Sequence, residues 1–150
     1  MTAGSDGSPG RLYPERPLVG VGVVVRRGRA ALLVRRAKPP RRGQWSLPGG
    51  LVRLGEPVRE AARREVREET GLELGTLELL DVVDSIERDP EGRVRYHYLL
   101  VDFTAEAVGG ELRAASDALG LRWFTPAELD GIELWEETRR LLRLSFDRAP

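Results

Sequence analysis

A chain of 150 residues with 41% apolar and 32% charged side chains is long enough to bury a core of its own as one domain. Lys+Arg and Asp+Glu both number 24, so no global basic field points to nucleic acid and no acidic tail stands out. Cysteine is absent, which excludes disulfides, thiolate metal sites and thiol chemistry and fits a reducing compartment.

No apolar run reaches membrane-spanning length, and the N-terminus lacks a basic start followed by an apolar stretch, so the expectation is a soluble, cytoplasmic protein without a membrane partner. Residues 1–16 are rich in Gly, Ser and Pro with little to bury, and read as a flexible tail ahead of a domain spanning 17–150. From Leu18, LVGVGVVV is β-branched and nearly continuous. Arg27-Gly28 supplies a turn and AALLV resumes, which predicts a hairpin of largely buried strands. KPPRRGQWSLPGG (38–50) reads as a loop. A helix follows, with Pro57 suited to its first position and Gly71 to C′. TLELLDVVDSIE (76–87) and VRYHYLLVDF (94–103) are long strands joined by RDPEGR, and GGEL after Val108 marks another turn. LRWF (121–124) is a short strand. Thr125-Pro126-Ala127-Glu128 then offers Thr at N-cap, Pro at N1 and Glu at N3. Leu134, Trp135, Thr138, Leu141 and Leu142 recur at helical spacing, so the chain ends in an amphipathic helix. The pattern predicts an α/β protein: a mixed β-sheet with flanking helices.

The helix over 58–70 carries an anomaly. At about 100° per residue, Ala61, Ala62 and Val66 share an arc with Val58, whereas Arg59, Glu60, Arg63, Arg64, Arg67 and Thr70 fill the opposite arc. Glu65 and Glu69 land inside the apolar arc, with Glu68 at its edge. Solvent already has its own arc, filled mainly with arginines, so these carboxylates are expected to face a pocket. Residues at i and i+4 have Cβ atoms about 5–6 Å apart, and ionised carboxylates there repel by about 3 kcal/mol at an effective dielectric near 20. Either one stays protonated or a multivalent cation sits among them, and three acids at one spot favour the cation. Oxygen-only ligation favours Mg²⁺ or Mn²⁺ over zinc. Gly49-Gly50 lets the backbone turn tightly there, so that a carbonyl can add an oxygen ligand. Arg64 precedes Glu65 directly and Glu68 by one turn, placed to pair with Glu68 or with an acid outside the helix. Such a cluster points to phosphoryl or pyrophosphate chemistry with a metal-activated water.

Gly50, five residues, Glu56, seven residues, then Arg64-Glu65-Val66-x-Glu68-Glu69-x-Gly71-Leu72 match every position of the Nudix box. The chain resembles the MutT/Nudix hydrolase family, closely over 44–72 and more loosely in strand pattern over 19–129. The resemblance implies a Nudix α/β/α sandwich that hydrolyses a nucleoside diphosphate linked to another group. By position it implies Glu65, Glu68, Glu69 and the Gly49 carbonyl as metal ligands, and Glu68, Glu69 and Arg64 as catalytic residues, with Arg64 and Glu56 orienting ligands and loop. Many members add an acid from a distant loop, as ligand or as base. Asp117, six residues before Trp123, resembles that placement, with turn-capping as its structural alternative and Glu106 and Glu111 as competitors. Arg35, Arg36, Arg41 and Arg42 flank the Gly-Gly loop and could reach phosphates, while Trp45 either stacks on a base or packs the loop. Arg36, Trp45 and Glu56 are therefore the substrate-side candidates, and His97 reads as structural.

HYLLVDF after a DPEG turn, then Gly-Gly and SDA…RWF, looks like the branch of ADP-ribose and nucleotide-sugar pyrophosphatases, which implies release of AMP and a sugar phosphate. Sanitation of noncanonical nucleoside triphosphates, removal of pyrophosphate from RNA 5′ ends and a non-catalytic nucleotide sensor are the alternatives, and the balanced charge counts against RNA. The expected partner is a small-molecule nucleotide, the expected ion Mg²⁺ or Mn²⁺, and the branch implies a homodimer.

Overall fold

The computed structural model describes residues 10–37, 41–113 and 119–149. Strands β1 (Leu18–Arg27) and β2 (Ala30–Arg35) form the expected hairpin, turning at Gly28 with φ 58°. β3 (Trp45–Ser46) and β4 (Gly49–Leu51) lie inside the segment expected as loop. After α1 (Val58–Thr70) come β5 (Leu72–Leu74), β6 (Glu78–Arg88), β7 (Val94–Gly110), β8 (Gly120–Phe124), α2 (Pro126–Leu129) and α3 (Glu136–Arg148).

β1 organises the sheet. One edge pairs antiparallel with β4 and then β2, and the other runs parallel to β7 with Gly22 opposite Asp102. β6 and β5 attach to β7, and β3 and β8 to β2. Because a strand's side chains alternate between faces, Val21, Val23 and Val25 pack with Phe103 and Ala105 beneath Ala61, Ala62 and Val66 of α1. Val24, Ala31 and Leu33 turn the other way, beneath Leu129 of α2 and Leu141 and Leu142 of α3. Burial on both faces explains why the β1 sequence is a nearly unbroken apolar run. The result is the expected α/β/α arrangement around a mixed sheet.

The second face of β1 is incomplete by design of the sequence. Gly20 and Gly22 share the face of Val24 but carry no side chain. A Cβ on Gly22 would sit 2.4 Å from Asp102 Oδ1, and one on Gly20 3.0 Å from Leu100 Cδ2. The two glycines make room for those β7 side chains and leave a cavity between sheet and α3.

Three boundaries differ from the sequence expectation. β7 continues past its expected end at Phe103, through the turn expected after Val108, to Gly110, because β5, too short to announce itself, pairs there. The terminal helix is two helices. The Thr125 capping box forms as expected, but α2 ends at Leu129 in a series of tight turns through Asp130, Gly131 and Ile132. Arg139 then secures the carbonyls of Leu129 and Ile132 at 2.9 and 2.7 Å, and Trp135 stands at the N-cap of α3. Within the segment expected as tail, Tyr13 donates its backbone N–H to Arg95 O at 2.7 Å and its hydroxyl to Asp89 Oδ2 at 2.8 Å. No helix among the described residues is long and apolar enough to cross a membrane.

Candidate functional site

α1 is fixed by its ends and by its arginines. Gly71 caps it in the left-handed conformation (φ 80°), donating to Arg67 O. Thr70, expected on the solvent arc, is fully buried: its hydroxyl donates to Val66 O at 2.6 Å and accepts the Leu72 N–H at 3.1 Å. A hydroxyl that satisfies two backbone groups at the helix exit is better buried than solvated. Arg59 donates to Leu77 O, and Arg63 to the carbonyls of Leu74 and Gly75. Part of the arginine arc thus clamps the β5–β6 connection.

Arg64 is the hub of the opposite flank, and only 15% of its side chain is exposed. It donates from Nε to Glu56 Oε2 at 2.7 Å and from Nη2 to Glu56 Oε1 at 2.9 Å, a bidentate pair. Nη1 reaches Glu65 Oε1 at 2.7 Å and Glu68 Oε2 at 3.2 Å, and Nη2 also meets Leu51 O at 3.0 Å. Both pairings foreseen for Arg64, with Glu68 and with an acid outside the helix, therefore occur together. These hydrogen bonds hold the Glu56 carboxyl down at about 2 and raise Arg64 above its ordinary value, chiefly through Glu56.

Glu65 lies against Gly50 so closely that a Cβ there would stand 2.4 Å from Oε2 and 2.7 Å from Oε1. Glu69 accepts the Gly49 N–H at 3.3 Å. Glu68 is half exposed and also within 3.6 Å of Arg53. Among the described residues, no group of three His, Cys, Asp or Glu side chains stands close enough to hold a metal ion as placed. Arg64 draws Glu65 and Glu68 toward its guanidinium and the neutral Gly49 amide holds Glu69, a remedy for their repulsion besides the two considered from sequence. The donor chemistry nevertheless suits a hard cation: three carboxylates on adjoining turns beside a Gly-Gly backbone that keeps their space clear, every ligand atom oxygen.

Two cavities meet at residues 46–51. One, of about 260 Å³, is lined by Glu65, Glu68, Glu69, Gly49, Gly50 and Arg36. The other, of about 170 Å³ on the α3 side, shares Arg11, Arg36 and the glycines and adds Arg41, Gln44, Trp45, Leu100, Asp102, Trp135 and Thr138. Burial lowers the pKa of Arg36 and of Arg41, and for Arg41 the charge of Arg36 adds to the effect. Desolvated guanidiniums of this kind attract phosphate oxygens. Trp45 packs, as one of its two expected roles has it, with its ring edge-on against Phe124 at 5.1 Å, and it also lines the cavity. Asp117 lies outside the described residues. Of its competitors, Glu106 is held by Arg26 at 2.7 Å, and neither it nor Glu111 lines either cavity.

The NUDIX domain model matches residues 16–144. The chain belongs to the Nudix family. An ADP-ribose pyrophosphatase of Methanocaldococcus jannaschii is 40% identical over 114 residues, covering 76% of this chain but only 64% of that protein. A putative 8-oxo-dGTP diphosphatase 2 of Mycobacterium tuberculosis is 38% identical over 118 residues, 77% of this chain and 78% of that protein. The crystal structure of a MutT NUDIX hydrolase from Burkholderia pseudomallei superposes with a TM-score of 0.76 at 36% identity, covering 87% of this chain and 98% of that one.

The Nudix box marks only one end of the joined cavities. Arg41, expected from sequence as an arginine able to reach phosphates, lines them, and so do Arg11, Asp102 and Trp135, which were not foreseen. Asp102 could have been noticed, since a lone acid interrupts the apolar run YLLVDF, and so could the alternating glycines of LVGVG. Trp135 could not: its contact with Arg41, whose guanidinium lies 3.8 Å from the ring centre, joins segments far apart in sequence.

Proposed function

We propose that this chain is a divalent-metal-dependent pyrophosphohydrolase that cleaves a nucleoside diphosphate linked to a second group. ADP-ribose or a nucleotide sugar is the substrate, and a nucleoside monophosphate and a sugar phosphate are the products. The observation that carries this reading is the junction of two unlike half-sites along residues 46–51. A carboxylate set ordered by Arg64 lies at one end, and an apolar, aromatic cavity with desolvated arginines lies at the other. A nucleotide with two phosphates between dissimilar ends has complementary chemistry, and the Methanocaldococcus jannaschii relative is named for a substrate of that kind.

Glu65, Glu68, Glu69 and the Gly49 carbonyl would hold Mg²⁺ or Mn²⁺, which when bound supplies positive charge to the phosphates and acidifies a bound water. Arg64 orients Glu65 and Glu68 through its hydrogen bonds to them, and Glu56 in turn fixes Arg64. Exposed Glu68 can swing from Arg64 toward the cavity at little cost. Arg36 and Arg41 offset the charge of the phosphate oxygens. Glu69 and Asp117 are the candidate bases for the water proton. If Asp117 is that base, Asp117→Asn lowers kcat; wild-type kinetics from mildly acidic to alkaline pH would retire it.

The relative named for 8-oxo-dGTP, aligned over most of its own length, favours a second reading, sanitation of noncanonical nucleoside triphosphates. Incubation with Mg²⁺ and a panel of ADP-ribose, nucleotide sugars, NADH, dinucleoside polyphosphates and modified triphosphates separates the two. AMP release from the ADP compounds supports the first. Its absence, with pyrophosphate released from modified triphosphates, would install the second.

A further inference from the structure

Three buried side-chain oxygens, on Asp102, Gln44 and Tyr98, lack a hydrogen-bond partner among the described residues, and all three residues line the cavity on the α3 side. Asp102, whose partnerless atom is Oδ2, is 3% exposed. None of the three lines the cavity holding Glu65, Glu68 and Glu69. A buried oxygen without a partner costs stability that an apolar side chain of similar shape would not. A glycine in a strand interior is costly as well, and Gly22 stands directly opposite Asp102, where any side chain would strike the carboxyl. Two unfavourable choices therefore coincide at one point of one cavity. The same cavity presents Leu47, Leu100, Leu141 and Trp135 beside its polar lining, surfaces on which a flat heterocycle gains more than a hydroxylated sugar ring.

We propose that Asp102 is a specificity-determining residue whose carboxyl oxygen accepts a hydrogen bond from the exocyclic amine of an adenine seated in this cavity. The proposal rests on the nucleotide reading above and adds to it which end of the substrate lies on the α3 side and what reads the base. A site built around a buried acceptor rejects an analogue lacking the donor more strongly than hydrophobic contact alone could, because the acceptor is then left unpaired.

The test is binding of AMP and of purine riboside 5′-monophosphate, which lacks only the amine, followed by quenching of Trp45 and Trp135 fluorescence in the whole chain. Wild-type protein is expected to prefer AMP by roughly tenfold to a hundredfold. Asp102→Leu should reduce the preference to under threefold, while Asp102→Asn, which keeps an acceptor oxygen, retains most of it. Equal wild-type affinities, or a preference that survives Asp102→Leu, overturns the proposal; stronger binding of GMP than AMP overturns the choice of adenine. The wild-type comparison stands even if the leucine variant fails to fold. Base-selective binding without hydrolysis of any nucleoside-diphosphate compound would refute the proposed activity and leave this inference intact. Hydrolysis without base selectivity would do the reverse.

Discussion

The buried Asp102 should leave a signature in folding stability. Its carboxyl is almost sealed from solvent, and Asp81, its register neighbour on β6, adds negative charge. Burial first, then Asp81 and Glu137 against the opposing charge of Arg140, push its pKa from 3.8 up to about 7. Between those values the folded chain holds a proton that the unfolded chain has released. Stability therefore falls as pH rises from 3.8 and levels off above about 7. At about 1.4 kcal/mol per pH unit the full cost is on the order of 4 kcal/mol. Asp102→Asn keeps the shape and removes the ionisation. Urea unfolding of both proteins from pH 4 to pH 9, without added metal, should show nearly equal stability at the acid end and an Asn variant more stable by several kcal/mol at the alkaline end. A difference that does not change with pH would refute the reasoning, and so would a wild type that gains on the variant as pH rises.

Other perturbations probe the remaining parts of the site. Glu69→Gln should reduce turnover by orders of magnitude with an unchanged circular dichroism spectrum; unchanged turnover would move the metal elsewhere. Arg64→Met strands Glu56 and Glu65 without their guanidinium, and should cost about 3–5 kcal/mol in chemical denaturation at pH 7. Glu56 is depressed from 4.5 to about 2, so its share of that loss is complete above 4.5 and fades as pH falls toward 2. A penalty undiminished in acid would assign the loss to packing. Thr70→Val, which leaves the buried Leu72 N–H without its acceptor, should cost about 1–3 kcal/mol, measured as a lower urea midpoint at unchanged m-value.

The sequence by itself determined whatever depends on local period and spacing. The nearly continuous apolar run of β1, the Thr125 capping box, the glycine exit of α1 and the placement of three glutamates beside one arginine are consequences of residues within a turn or two of each other, and all were legible. The helical wheel misassigned Thr70 because it sorts side chains by angle alone and cannot see the backbone groups that wait at the helix exit. It also read Arg59 and Arg63 as solvent-facing, since the carbonyls they clamp belong to the β5–β6 connection, which approaches only after the sheet has formed. β3, β4 and β5 escaped because two or three residues carry too little periodicity to be distinguished from loop; pairing with β2, β1 and β7 makes them strands. Only the tertiary structure decided the second half of the site. It placed Gly22 against Asp102 through the parallel β1–β7 register, and Arg41 over Trp135, and so set a carboxyl oxygen without a partner among the described residues in a cavity that meets the carboxylate end. Register between distant strands is fixed by the whole core at once, and no window of sequence contains that information.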